Sequence, residues 1–428
     1  METAPVNLPA YWRLLRSNHN YRLLWTAQLI SEIGDWLYMV SIYSLLLELT
    51  GSAKIVAFAF VLQVLPQTFV SPAAGVINDR LSRQKVMIFT DWCRALIVFS
   101  MVFVRTREML WFLYLLLVLE TILWALFEPA RTSVIPNITR GPETLVANAL
   151  SSTTWSFTLA VGSAVGGVLA VAFGRDTVFV LDALSFIGSA LLLRRMCFIE
   201  PHVEDLPPLR AKDLADFSPI TDGVKYVAKD PRRMATMFVK CGLGLMGTNW
   251  VLLPIFGTRI YPMAIHGLDP NSAGMLGMSV LMGCRGIGAL LGPFIASTWT
   301  GLDERNFRRG ILCGFALGFL GYCTLGLSQN LAVACLGIVI AHSGGAIAWV
   351  FSTTLLQMKT DDKFRGRVFS AEFALSMLTL SIVSYSAGLL ADDGMSVRTL
   401  AICTGFLVLI PGILWAFAQR LWREPVSA

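Results

Sequence analysis

The sequence predicts an all-α integral membrane protein with twelve transmembrane helices in two pseudo-symmetric bundles of six, and both termini in the cytoplasm. Three observations carry that expectation. Apolar stretches of bilayer-crossing length recur along the 428 residues, charge is scarce, and lysine and arginine gather on alternate connecting segments.

A membrane-spanning helix needs roughly 20 mostly apolar residues. Windows of that kind lie near 22–47, 54–76, 86–104, 109–130, 145–172 and 177–197, then near 234–258, 272–298, 307–328, 331–357, 369–390 and 397–419. The chain is 55% hydrophobic and 14% charged, against about 25% charged residues in a soluble domain. Its mean hydropathy is +0.64. A surface facing lipid accounts for the missing charge.

Orientation follows from the cations. With the N-terminus inside, the cytoplasmic segments hold 25 Lys and Arg and the external segments 6, with Arg94, Lys240 and Arg285 inside spans. This bias is a positive-inside signal. The polar stretch from Met1 to Asn20 lacks the short apolar core and cleavage site of a secretory signal, so the first span is expected to be an uncleaved anchor in the cell membrane. The 8 cysteines fall in or at the ends of spans without a Cys-x-x-Cys pair, which speaks against a disulfide framework or zinc site. A net charge of +6 implies contact with anionic lipid headgroups and not with nucleic acid.

The longest polar stretch divides the spans six and six, giving an N-terminal bundle at 1–197, a linker at 198–233 and a C-terminal bundle at 234–428. Within the linker Leu214, Phe217, Ile220, Val224 and Val227 recur at helical spacing between Asp213, Asp216, Asp222, Lys225 and Lys229. The pattern fits an amphipathic helix on the cytoplasmic face; the alternative is a solvated linker. The halves echo one another: Pro72 precedes Asp79-Arg80 after span two, and Pro293 precedes Asp303-Glu304-Arg305 after span eight. Repeated bundles of this kind place a substrate site near the midplane.

The most telling segment is the short charged turn Gly75-Val76-Ile77-Asn78-Asp79-Arg80-Leu81-Ser82-Arg83-Gln84-Lys85. It resembles the major facilitator superfamily signature Gly-x-x-x-Asp-Arg/Lys-x-Gly between spans two and three, with Ser82 where the second glycine is usual. Other stretches resemble the macrolide-efflux, or transmembrane secretion effector, branch of the drug:proton antiporters. They are Ser31-Glu32-Ile33-Gly34-Asp35-Trp36-Leu37, Asp91-Trp92-Cys93-Arg94-Ala95, Phe127-Glu128-Pro129-Ala130-Arg131 with Ile135-Pro136, Asp182-Ala183-Leu184-Ser185-Phe186 and Arg365-Gly366-Arg367-Val368. Exporters of the superfamily often carry Gly-Pro-x-x-Gly-Gly in span five; here Gly162-Ser163-Ala164-Val165-Gly166-Gly167 keeps the small-residue surface for close packing without the proline.

A charge at the bilayer centre costs about 2.5–3.5 kcal/mol on insertion scales, so intramembrane charges need a polar interior. Gln28, Glu32 and Asp35 form one stripe of span one. Two carboxylates close together in a low-dielectric cleft are able to share a proton, as a proton-coupling site requires; the alternative is that each pairs with a cation on a neighbouring helix. Glu120, mid-span in the fourth window, is the further coupling candidate. Arg94 and Arg285 either neutralise these acids or hold an anionic group of a substrate; Asp91 and Arg94 are at i, i+3 and able to satisfy each other. Lys240 is read as structural, with its ammonium able to snorkel to the interface. Asp182 and Glu372 are read as partners for adjacent helices. His342 is of the type that titrates near neutral pH, or else is packed and inert. Trp36, Gln63, Gln67, Trp124, Asn249, Trp250 and Trp349 are the aromatic and amide candidates for a cavity that takes a bulky amphipathic cargo, or else ordinary packing.

For the hairpin the resemblance implies a cytoplasmic gate. Gly75 permits close helix approach, Asp79 sits at the N-terminus of span eleven behind Arg365 and Arg367, and Arg80 and Arg83, with Lys85 beside them, bridge to carboxylates such as Glu128 or Glu372. Arg131 belongs to the same network.

The function expected is a secondary active transporter, a proton-coupled exporter of small amphipathic molecules such as a drug, macrolide-like compound or siderophore. It is expected to be monomeric, driven by a proton gradient and without cofactor or metal. A lysophospholipid flippase or a proton-coupled nutrient importer of the same fold is the alternative. The chain has no His-Glu-x-x-His, Gly-x-Ser-x-Gly or P-loop pattern, which speaks against an enzyme and against ATP coupling.

Overall fold

The computed structural model describes residues 8–140, 142–200, 218–263, 265–300, 303–361 and 364–422. Among them all regular structure is helical. A short helix α1 (Leu8–Ser17) precedes α2 (His19–Thr50), α3 (Ala53–Arg80), α4 (Arg83–Ser100), α5 (Leu110–Ile138), α6 (Pro142–Phe173) and α7 (Arg175–Arg194). Then come α8 (Ser218–Ala228), α9 (Pro231–Gly244), α10 (Asn249–Ile255), α11 (Pro270–Thr300), α12 (Glu304–Leu327), α13 (Leu331–Lys359), α14 (Arg365–Asp392) and α15 (Val397–Ala418).

Each apolar window coincides with helix, and most helices run beyond the window into polar sequence. Caps explain several ends. The side chains of Asp230, Asp303, Asn330 and Ser396 accept from backbone N–H groups in the first turns of α9, α12, α13 and α15, satisfying donors that a helix leaves open. Among the described residues, eleven spans are long and apolar enough to cross a bilayer, which makes this a multi-pass membrane protein. Helix α2 is outside those eleven although it has 32 residues; Gln28, Glu32 and Asp35 dilute its hydropathy.

Span seven departs from a regular helix. After α9 the chain tightens into a 3-10 turn at Leu245–Thr248, returns to α-helix in α10 and widens into a π-turn at Phe256–Ile260. Of the predicted linker helix, Leu214, Phe217, Asp213 and Asp216 lie outside the described residues. The remainder is α8, which buries Tyr226 and Val227 against Met237, Leu356 and Val368.

Two compact units emerge. One comprises Met1–Ile42 and Phe69–Asp216, the other Tyr43–Thr68 and Phe217–Ala428. In the first, α4 packs on α5 and α7, and α1 lies on α6. The small-residue run of α6 meets α2 closely: a Cβ on Gly162 would lie 2.7 Å from that of Trp36, and one on Gly166 2.8 Å from the Leu37 Cα. In the second, α12 runs along α13 and α15, and α11 along α13. Gly314 and Gly321 of α12 meet Gly344 and Gly337 of α13 backbone to backbone, the close approach that small residues permit in lipid.

Candidate functional site

In the first unit the acidic stripe of α2 divides. Asp35 turns toward α4, where Arg94 Nη2 donates to its two oxygens at 2.8 and 3.1 Å. The same guanidinium donates from Nε and Nη2 to Glu120 Oε1 of α5 at 2.9 and 2.6 Å. Its carbon lies 4.1 Å from the centre of the Phe186 ring on α7. The Arg94 side chain is sealed at 2% exposure while Asp35 keeps 22%. Burial explains this geometry. A guanidinium removed from water needs counter-charge with good hydrogen bonds, and its planar fork can serve two carboxylates at once.

Two more acids join the cluster. Asp91 of α4 acts electrostatically with Arg94 and Asp35, and Asp182 of α7 with Asp35, Arg94 and Glu120. Both oxygens of Asp91 are buried without a hydrogen-bond partner, and so is Asp182 Oδ2. The expected Asp91–Arg94 pairing along one helix is therefore replaced by long-range pairing, because Arg94 reaches stronger partners on α2 and α5. Asp182 is fully buried and presses on Gly34, where a Cβ would collide with its carboxylate and with Ser185 Oγ. A residue larger than glycine would close this approach of α2 and α7.

Glu32 belongs to a separate chain of contacts. Glu128 receives two bonds from Arg131, at 2.9 and 2.5 Å, and Arg131 Nη1 donates to Gln28 Oε1 at 2.8 Å. Gln28 Nε2 donates onward to Glu32 Oε1 at 2.8 Å, and Thr158 Oγ1 donates to Glu32 Oε2 at 3.0 Å. The polar line crosses α5, α2 and α6. Nearby, Trp36 meets Trp155 edge to face at 5.7 Å, and Trp124 is half-buried.

The hairpin differs from its expectation in three respects. A Cβ on Gly75 would meet nothing within 4 Å, so this residue makes no close approach here. Glu128 is held by Arg131 and Glu372 by Lys240 at 2.7 Å. Arg83 instead donates to the Asn78 and Ser133 carbonyls at 3.2 and 3.1 Å, with its ion pair to Asp79 a long 3.6 Å and Asp79 76% exposed. Ser82, in place of the usual glycine, has φ −57° and caps α4. A negative φ needs no glycine. Glu200 completes the cap, accepting from Ser82 Oγ at 2.5 Å and from the Arg83 N–H at 2.8 Å; nothing in the sequence pattern marked it. Lys85 and Arg365 are exposed and Arg80 half-buried, and Arg367 pairs with Asp222 at 3.5 Å.

In the second unit, Lys240 is buried against Glu372 and under Trp349, whose ring centre is 4.4 Å from Nζ. It does not snorkel. Gln63 and Gln67 donate to carbonyls of their own helix, Ala59 and Gln63. Around the 3-10 turn, Asn249 Nδ2 and the Tyr322 hydroxyl both donate to the Met246 carbonyl, at 2.6 and 3.1 Å. Arg285 lies over Trp250, its guanidinium carbon 4.0 Å from the ring centre, and Tyr322 meets His342 at 6.3 Å. A cleft of about 670 Å³ lined by Arg305, Arg308, Arg309, Arg420 and Trp422 contains none of the predicted site residues. No group of three or more His, Cys, Asp or Glu suited to a metal occurs among the described residues.

Comparison with known proteins covers nearly the whole chain. The family model described as transmembrane secretion effector matches residues 12–424. The MFS-type transporter YfiS of Bacillus subtilis is 24% identical over 417 residues, 95% of each chain. Macrolide efflux protein A of Streptococcus pyogenes is 22% identical over 395 residues, 89% of this chain and 90% of its own. Among solved structures, the peptide transporter POT in complex with alafosfalin superposes with a TM-score of 0.75 at 10% identity, covering 94% of this chain and 95% of that one. At that identity the likeness speaks to fold alone.

Proposed function

Because the chain belongs to the transmembrane secretion effector family of major facilitator transporters, we propose that it is a proton-coupled exporter of small amphipathic molecules working by alternating access. Helix α2 is the twelfth span on this reading, both termini are cytoplasmic, and the halves act as two six-helix bundles. The observation that carries the coupling is the Arg94 bridge between Asp35 and Glu120. Asp35 is its more accessible partner, so a proton arriving there competes with Arg94 for the same oxygens. A protonated Asp35 releases the guanidinium, and a deprotonated one recaptures it. Such an exchange biases one conformation only through the differential energy of those contacts. Export is favoured over import by the family description and by the efflux relative.

The test is transport in proteoliposomes driven by an imposed pH gradient, with neutral, cationic and anionic amphipathic compounds offered and macrolides among them. Asp35→Asn is expected to abolish gradient-driven flux while counterflow of the same compound persists. Gradient-driven flux that survives in both Asp35→Asn and Glu120→Gln would move the coupling site elsewhere; flux indifferent to the gradient in the wild type would exclude proton coupling.

A further inference from the structure

Among the described residues, Arg285 is a buried cation without a counter-ion. The residue is 9% exposed, and its Nε and Nη1 are buried with no hydrogen-bond partner. The groups that act on its charge are Tyr322, Tyr43 and His342, none of them a carboxylate. A charge held in a protein interior without a partner is costly, more so in a membrane-spanning helix. Stacking on Trp250 offsets part of that cost. A ring centre offers no hydrogen-bond acceptor to the guanidinium N–H groups, and N–H groups of this kind pair with planar anions.

The surroundings are prepared for a ligand. Trp250 is clamped by Phe60, stacked at 4.4 Å and 19°, and meets Tyr43 edge to face at 6.4 Å. His342 Nε2, on a residue that interacts with the Arg285 charge, is buried without a hydrogen-bond partner, as is Asn249 Oδ1 beside Trp250 in the chain. Buried polar atoms are nearly always satisfied; an orphaned imidazole nitrogen near an orphaned cation marks a place where a polar partner is missing. The site also sits beside the 3-10 turn at Leu245–Thr248, an irregularity of the kind that accompanies functional positions in helices.

We propose that Arg285 is the anion-binding group of the cargo site, and that the cargo includes amphipathic carboxylates. The carboxylate accepts from the unpartnered N–H groups of the guanidinium, and the apolar body takes the aromatic surroundings of Tyr43, Trp250 and Tyr322. This rests on the exporter reading and narrows its substrate class.

The test uses purified full-length protein in a neutral maltoside detergent, titrated calorimetrically at fixed ionic strength with 2-naphthoate and its neutral near-isostere 2-naphthamide. Naphthoate is expected to bind about tenfold or more tightly than the amide, Arg285→Gln to remove that preference, and Arg285→Lys to retain part of it. Equal wild-type affinities, or undiminished naphthoate preference in a folded Arg285→Gln protein, overturn the assignment. A wild-type measurement guards against a variant that fails to fold: naphthoate, and not the amide, should raise the melting temperature, and equal shifts overturn the proposal. The two readings fail separately. Naphthoate binding without gradient-driven export of any compound keeps the anion site and breaks the exporter; gradient-driven export of neutral amphiphiles with no naphthoate preference does the reverse.

Discussion

Two buried arginines, one in each compact unit, are treated in opposite ways. Arg94 bridges Asp35 and Glu120, with Asp91 and Asp182 adding to the negative field. Arg285 has an indole ring and the nearby rings of two tyrosines and a histidine, and no carboxylate among the described residues. The first site has more acid than its cation can neutralise; the second has a cation and, among the described residues, nothing to neutralise it. A proton suits the first kind of site and an anion the second. Both proposals rest on charge balance in a medium where imbalance is expensive.

The comparison breaks most readily at its centre. Arg94→Gln strands the carboxylates and is expected to destabilise the protein by about 3–5 kcal/mol, as removal of one partner of a buried pair does; thermal unfolding in detergent measures it. A loss below about 1 kcal/mol would mean that the acids need no cation. Gly34→Ala tests the crowding itself. The added methyl collides with Asp182, and overpacking of this sort costs about 1–3 kcal/mol; wild-type stability would show that α7 yields freely.

Finer effects distinguish the two acids on Arg94. Glu120 is nearly sealed at 7% side-chain exposure and Asp35 keeps 22%. Glu120→Gln should therefore exceed Asp35→Asn in lost stability by about 1 kcal/mol, since the more buried partner is the more strongly coupled. An inverted order would make Asp35 the structural member. The smallest change is expected at the other arginine. Without ligand, Arg285→Gln should leave stability unchanged or raise it by about 1 kcal/mol, because an uncompensated charge is removed. A large loss would reveal a counter-charge for it.

The helices were legible because lipid imposes a simple rule on composition, and each apolar window coincides with helix. Helix α1 left no span-like signal, being short, amphipathic and fixed through contacts such as the buried Leu14. The pairing of charges was harder to read. A local rule joined Asp91 to Arg94, three residues apart, whereas the actual partners of Arg94 are 59 and 26 residues away. The stripe Gln28–Glu32–Asp35 does lie along one helix, yet α4 and α6 draw its members apart. The capping role of Glu200 and the fit of Ser82 likewise depend on tertiary neighbours. Fold follows from periodicity, and partners follow from packing.

The interrupted ladder of span seven has a mechanical consequence. Seven residues, Asn249–Ile255, lie between a tightened turn and a widened one. Each boundary changes the number of residues per turn, so a residue passed from the tight stretch to the α-helical one would turn the segment about its axis and shorten it by about 0.5 Å. Trp250 lies on that segment, with the Arg285 guanidinium against its ring. Any change in the winding of either turn would therefore be felt at the indole and at the cation beside it.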